Sequence, residues 1–134
     1  MSGTKPSFAI IRLTKVTISR DALRTALGIK PDKFGVAGDG SGHYAVLDVP
    51  DSENPWRTIG DMLATLGPAI AGLITERKIG SALLDVVFLF FPELVTRSCS
   101  IPSTIALAAG KCLIDIDVST YPSDDGDSED NEPA

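Results

Sequence analysis

Apolar residues recur along the chain in four runs that predict β-strands. The runs cover residues 7–16, 43–49, 81–91 and 111–119, and turn-forming residues separate them. The run 81–91 is apolar on both faces, so it predicts a strand with neighbours on both sides. The other runs mix apolar and charged positions, which is typical of strands with one face in water.

The stretch between the first two runs has the apolar period of a short helix. Ser19 can cap its start, because a hydroxyl oxygen accepts hydrogen bonds from N–H groups of the first turn. Gly28 can end it, because glycine readily adopts the left-handed conformation that follows many helices. The glycine-rich residues 29–42 then predict turns and a flexible connector.

A longer helix is predicted over residues 56–78. Asn54 and Pro55 precede it in the order that helix starts favour, a capping side chain followed by a proline in the first turn. Gly67 and Pro68 lie in its middle. Because an internal proline removes a helix hydrogen bond, they predict a kink or a junction between two helices.

A short helix from Pro102 to Ala109, ended by Gly110, completes the elements. Their order is β-α-β, a long helix, and β-α-β again. We expect an α+β fold in which two β-α-β halves, each a right-handed crossover, are joined by the long kinked helix. The halves would interleave into one four-stranded, ferredoxin-like sheet with the helices on one face.

A single domain is predicted over residues 7–122, with disordered segments at residues 1–6 and 123–134. The C-terminal segment is polar, low in complexity and without apolar residues that could anchor it to a core. It also carries the net charge of −6, because its six acids leave 12 acids and 12 bases in the rest of the chain. Residues 1–38 are basic, with seven bases against two acids.

Several classes of protein do not fit this composition. Nucleic-acid binding is not expected, because such domains are usually basic and present aromatic stacking platforms. The N-terminus lacks the apolar segment of a secretory signal, and the run 81–91 is too short to cross a membrane. Cys99 and Cys112 do not form a metal-binding motif and are predicted to be buried thiols of a cytoplasmic protein.

Three segments together resemble a known family. They read ISRDALRTALGIKPDKFGVAGDG, PWRTIGDMLATLGPAIAGLITERK and SIPSTIALAAGKCLIDIDVSTY. In this order they are similar to the small bacterial proteins of domain-of-unknown-function family 4279, over most of residues 7–121. One departure is the position of the single tryptophan, Trp56, which follows the glycine-rich segment at a distance. The resemblance implies the fold and carries no activity over to this chain.

The last strand offers the most plausible polar site of the domain. Asp115 and Asp117 share one face of it, since residues two apart point the same way, and Asp85 is predicted on a neighbouring strand. Such a strip of carboxylates can bind a cation or perform acid–base chemistry. The alternatives are the solvated face of an antiparallel or edge strand, or pairing with Arg12 across the sheet.

Candidate partner-binding residues lie at the start of the long helix and in the basic N-terminal region. Trp56 and Arg57 are of the types enriched at interface hot spots, although a tryptophan there can also pack against the sheet. The candidate bases are Arg12, Lys15, Arg20 and Arg24.

Two weaker signals complete the candidates. His43 is the single histidine, and a catalytic device of the Ser-His-Asp kind would have to use it. Asp48 lies five residues on and therefore on the opposite face of the strand. The glycine-rich loop leads into a strand and contains Asp39, so it is unlike a phosphate-binding loop.

Three hypotheses about function follow, in order of preference. The first is a non-enzymatic module that binds a partner protein, as immunity proteins and inhibitors do, in a monomer or homodimer without a cofactor or metal. The second is a sensor with a ligand pocket between the sheet and the long helix near Gly67 and Pro68. The third is an enzyme that uses the aspartates of the last two strands or His43.

Overall fold

The computed structural model describes residues 6–90 and 99–122. The predicted tail, residues 1–5 and the connection 91–98 lie outside the described residues. The elements in chain order are β1 (Phe8–Val16), α1 (Arg20–Leu27), β2 (Lys33–Val36), β3 (His43–Asp48), α2 (Pro55–Thr75), β4 (Ser81–Phe90), α3 (Ser103–Lys111) and β5 (Ile114–Pro122).

The described strands form one five-stranded mixed sheet in the order β2-β3-β1-β4-β5. β1 is antiparallel to both of its neighbours, β3 and β4. β4 and β5 are parallel, and α3 connects them. The predicted α+β class is confirmed, and β4 is an interior strand as its apolar run predicts.

The predicted four-stranded, ferredoxin-like sheet matches the structure in part, because the described sheet has five strands and not four. Residues 33–36 form β2, an additional strand that pairs with β3 inside the segment predicted as a connector. β3 is antiparallel to β1, so β1, α1 and β3 do not make the predicted crossover. β2 is parallel to β1, with β3 between them, so β1, α1 and β2 form a split β-α-β unit. The second half does contain a β-α-β unit, since β4 and β5 are parallel neighbours.

Both predicted ends of α1 and the predicted start of the long helix are confirmed by hydrogen bonds, whereas α2 ends at Thr75 and not at residue 78. The Ala22 N–H donates to the Ser19 hydroxyl oxygen at 3.0 Å, and Gly28 follows α1 with a φ of 82°. The Arg57 N–H donates to the Asn54 side chain at the start of α2. Local capping chemistry therefore sets these boundaries.

Of two predictions about proline and glycine, the first loses one of its alternatives and the second is wrong. α2 is one continuous helix of 21 residues that contains Pro68, so the chain does not divide there into two helices. Gly110 lies inside α3 and does not end it. The helix ends because the N–H groups of Cys112 and Leu113 turn back to carbonyls of its last turn, and Leu113 adopts the left-handed conformation with a φ of 63°.

The core lies between the sheet and the helices. Ile11, Leu13, Leu47 and Leu84 project from one face of the sheet and are at most 1 % exposed. Buried residues of all three helices join the same cluster, for example Ile70 of α2. The helices therefore cover one face of the sheet, as predicted.

α2 is the one helix in the described part of the chain that is long and apolar enough to cross a membrane by length and composition. Six of its residues are nevertheless buried in the domain, so it is the central helix of the core. The cysteines differ from their prediction, because Cys99 is exposed and Cys112 is half-buried. Cys112 lies directly against Gly67 of α2, where a side chain would clash with its sulfur.

Candidate functional site

The sheet has a second face that no described helix covers. Strand residues alternate between the two faces, so the register of the sheet decides which side chains lie here. We call this surface the helix-free face. It consists of Phe8, Ile10, Arg12 and Thr14 of β1, Lys33 and Gly35 of β2, Tyr44, Val46 and Asp48 of β3, Ser81, Leu83, Asp85, Val87 and Leu89 of β4, and Asp115, Asp117, Ser119 and Tyr121 of β5.

The three aspartates singled out in the sequence come together on this face. Asp85 and Asp117 are register partners on the parallel strands β4 and β5, and Asp115 precedes Asp117 on the same face. Asp115 and Asp117 are exposed, whereas Asp85 is half-buried. The Ser119 hydroxyl donates to Asp85 Oδ1 at 2.9 Å. We call Asp85, Asp115 and Asp117 the acidic strip.

The carboxylates of the acidic strip have no cationic partner among the described residues. The one ion pair within 4.0 Å in that part of the chain joins Lys78 and Glu76. Arg12 lies on the same face, but its register partner on β4 is Leu83 and not an aspartate. Residues 6–90 and 99–122 also contain no group of three His, Cys, Asp or Glu side chains that could hold a metal ion. No described cationic side chain therefore neutralises the negative charge of the acidic strip.

The predicted basic residues do not form one patch. Arg12 is half-buried at the middle of the helix-free face, whereas Arg20 and Arg24 are exposed on α1, over the opposite face. Lys15 occupies an irregularity between β1 and β3 with a φ of 52°. Its side chain packs against Gly80, where an added Cβ would lie 2.7 Å from the Lys15 Cβ.

Trp56 and Arg57 separate at the start of α2. The Trp56 ring is half-buried and lies 6.2 Å from the Phe88 ring, centroid to centroid, against the core. Arg57 is exposed. The packing of Trp56 on the sheet is the alternative that the sequence left open, and it places the tryptophan on the helix-covered side.

His43 does not meet the acidic strip. Its ring stacks on Phe34 of β2 with centroids 5.0 Å apart, and it lies on the helix-covered side of β3. In the loop before it, hydrogen bonds from the side chain and backbone of Ser41 hold the pKa of Asp39 below its ordinary value. The Ser41 N–H lies 2.9 Å from Asp39 Oδ1, so this carboxylate organises the turn between β2 and β3.

A ligand pocket is predicted between the sheet and the long helix near Gly67 and Pro68. The side chain of Cys112 fills the space beside Gly67, and Pro68 is exposed. An open cavity of 430 Å³ lies elsewhere, between the start of β1 and the start of α2. Asp51 and Glu53 are among its lining residues.

The outer edge of β5 is a feature that the sequence offered only as one alternative for the strand that bears Asp115 and Asp117. Within the described ranges, β5 pairs only with β4, and it is nine residues long. Val118 and Tyr121 of β5 are 43 % and 54 % exposed, and Leu113 just before it is 51 % exposed. The apolar residues Leu113, Val118 and Tyr121 in and beside a strand with two aspartates were the sequence features that could have indicated it. They can be recognised only once the strand order makes β5 an edge.

Comparison with known proteins adds no relative. No family model matches the chain, and neither a curated protein nor a solved structure is significantly similar to it. The resemblance to domain-of-unknown-function family 4279 therefore stays a prediction.

Proposed function

We propose that this protein is a non-enzymatic interaction module, of the immunity or inhibitor type, which binds a partner protein through the helix-free face. The observation that carries the proposal is the contrast between the faces. All three helices pack on one face, while the other exposes Phe8, Leu89 and Tyr121 at 49 %, 45 % and 54 %. Large apolar side chains exposed on a continuous surface are a feature of protein-binding sites.

The three exposed side chains form an apolar patch at one end of the helix-free face. Phe8 is the register partner of Val87, and Leu89 is the register partner of Tyr121, so the patch continues across three neighbouring strands. The acidic strip borders it. An apolar centre with a charged rim is the usual composition of a protein interface.

The separation of the titratable groups supports a non-catalytic role. His43 lies on the helix-covered side, whereas the acidic strip lies on the helix-free face. A histidine and a carboxylate on opposite faces of a sheet cannot exchange a proton directly, because such catalysis needs hydrogen-bond contact. Asp85 instead accepts a hydrogen bond from Ser119.

A capture experiment with matched variants tests the proposal. The full chain, Leu89→Lys and Ile29→Lys would be immobilised and exposed to a lysate of the source organism. Both substitutions replace an exposed aliphatic side chain, at 45 % and 40 % exposure, but Ile29 lies outside the helix-free face. We expect a stoichiometric partner that Leu89→Lys loses and Ile29→Lys retains. A partner that both variants retain, or the lack of any partner, would contradict the proposal.

A further inference from the structure

The backbone of β5 is available for pairing on its outer side. β4 occupies one side of the strand, and no strand in the described ranges occupies the other. Alternate residues of an edge strand direct their N–H and C=O groups away from the sheet, so they can accept a further strand. With nine residues, β5 is long enough for a complete strand of usual length to pair with it.

The side chains of β5 determine which side chains an added strand must have. On the helix-covered side, exposure rises from buried Ile114 through half-buried Ile116 to Val118. On the helix-free side, Asp115 and Asp117 are both exposed. Directly opposed residues on neighbouring strands lie about 5 Å apart and interact, apolar with apolar and base with acid. A matching strand would therefore alternate apolar and cationic residues.

A second copy of this chain does not meet that requirement. Antiparallel pairing of two β5 strands about Ile116 would set Asp115 opposite Asp117 twice, and like charges in opposed positions are destabilising. The six acids of residues 123–134 also follow β5 directly in the sequence, so self-pairing would concentrate negative charge at the edge. The same charges attract a cationic partner and increase its rate of association.

We infer that β5 binds an extended segment of the partner protein, in which basic and apolar residues alternate, as a sixth strand of the sheet. This inference rests on the proposed function and names the kind of partner segment. The backbone of β5 supplies the hydrogen bonds, while Asp115 and Asp117 select lysine or arginine. Val118 contacts the apolar side chains of the segment.

Peptides of defined pattern test the inference directly. A capped nine-residue peptide of alternating lysine and valine would be titrated into the full chain by calorimetry. A peptide of the same composition, with its lysines in one block, is the first control, and alternating glutamate and valine is the second. We expect the alternating lysine peptide to bind at least about tenfold more tightly than either control and to weaken with added salt. Equal binding of the blocked peptide would overturn strand addition.

Charge reversal locates the binding site on the molecule. We expect the double variant Asp115→Lys and Asp117→Lys to bind the lysine peptide at least about tenfold more weakly than the wild type does. It should bind the glutamate peptide more tightly than the lysine peptide. Asp48→Lys is the matched control, because Asp48 is also an exposed aspartate of the helix-free face but lies on β3. Equal weakening by Asp48→Lys would overturn the assignment to β5.

The same variants separate this inference from the proposed function. Suppose that Leu89→Lys loses the captured partner and the Asp115/Asp117 charge reversal retains it. This result would support partner binding by the helix-free face and overturn strand addition at β5. A partner that neither variant captures would support both the proposed function and strand addition. Binding of the alternating peptide, with no partner captured by the wild type, would support the edge and contradict partner binding by the helix-free face.

Discussion

The two edges of the sheet differ in length, charge and apolar exposure. β2 has only four residues, bears Lys33, and is partly covered by the Tyr44 ring, which lies against Gly35. β5 has nine residues, bears two exposed aspartates and exposes Val118. The shortness of β2 and the aspartates of β5 both reduce unspecific pairing with other strands, since short strands and charged residues are the usual protections of sheet edges. A short strand excludes most partners, whereas a long acidic strand excludes only those that are not cationic.

The edges also differ in how they are held to the domain. Ile114 of β5 is 4 % exposed and belongs to the core, and α3 packs beside the strand. β2 is held mainly by half-buried Phe34, whose ring stacks on His43. A firmly anchored edge is a better platform for binding, because less of it must be ordered when a partner arrives.

The largest expected effect tests this difference in anchoring. Ile114→Ala should lower the free energy of unfolding by about 2–4 kcal/mol, since it leaves a cavity in the core. Phe34→Ala should cost less, about 1–2 kcal/mol, because its ring is already half in water. Urea denaturation measures both. A larger loss for Phe34→Ala would mean that β2 is the better anchored edge.

The contact between Gly67 of α2 and Cys112, two residues before β5, gives the second prediction. Gly67→Ala should destabilise the domain by about 1–3 kcal/mol, because the new methyl group meets the Cys112 sulfur and cannot be accommodated without movement. Gly72→Ala in the same helix has open space around it. It should be neutral or stabilising by up to about 1 kcal/mol, owing to the better helix propensity of alanine. Thermal or urea unfolding of the two variants provides the comparison, and equal effects would contradict it.

Removal of the charges that protect β5 gives the third prediction. Asp115→Val together with Asp117→Val should cause concentration-dependent self-association, because an apolar edge strand pairs readily with a second copy. Lys33→Val on the short strand β2 should leave the oligomeric state unchanged. Sedimentation velocity over a range of concentrations measures both. Association of the Lys33 variant alone would reverse the assignment of the reactive edge.

The smallest expected effect concerns the turn that precedes β3. The pKa of Asp39 is lowered from 3.8 by its hydrogen bonds with Ser41, so its contribution to stability is fully present above pH 3.8. It is lost as the pH falls through the lower pKa of the folded state. Asp39→Ala should therefore be slightly less stable than wild type at neutral pH and equally stable in strong acid. Urea titrations at several pH values test this, and a difference that grows on acidification would contradict it.

Local chemistry predicted much of this fold from sequence. The hydroxyl of Ser19, the left-handed position of Gly28 and the side chain of Asn54 act within one turn of the chain, and each does what its residue type predicts. The alternation of β5 likewise put Asp115 and Asp117 on one face. These features depend on neighbours a few residues away.

The features that the sequence did not reveal depend on distant partners. Residues 33–36 look like part of a turn, because Gly35 and the glycines that follow are poor strand formers. They become a strand because β3 pairs with them and Phe34 packs on the core. The prediction therefore took the wrong second strand for the first half: β2, at the sheet edge, is the parallel partner of β1 across α1, and β3 lies between them, antiparallel to both.

The candidate site was predictable in part for the same reason. The sequence predicted Asp85 on a strand beside the two aspartates of the last strand, and the parallel register makes Asp85 and Asp117 direct neighbours. The position of β5 at an edge is a property of the whole sheet, so no local pattern could show it.

Amide hydrogen exchange, measured with and without the alternating lysine–valine peptide, tests the central claim most directly. If β5 accepts the peptide as a strand, exchange should slow at least about tenfold for alternate amides within Ile114–Pro122, while the amides of β2 keep their rates. Slower exchange at β2, or unchanged exchange at β5 with the peptide bound, would contradict the claim.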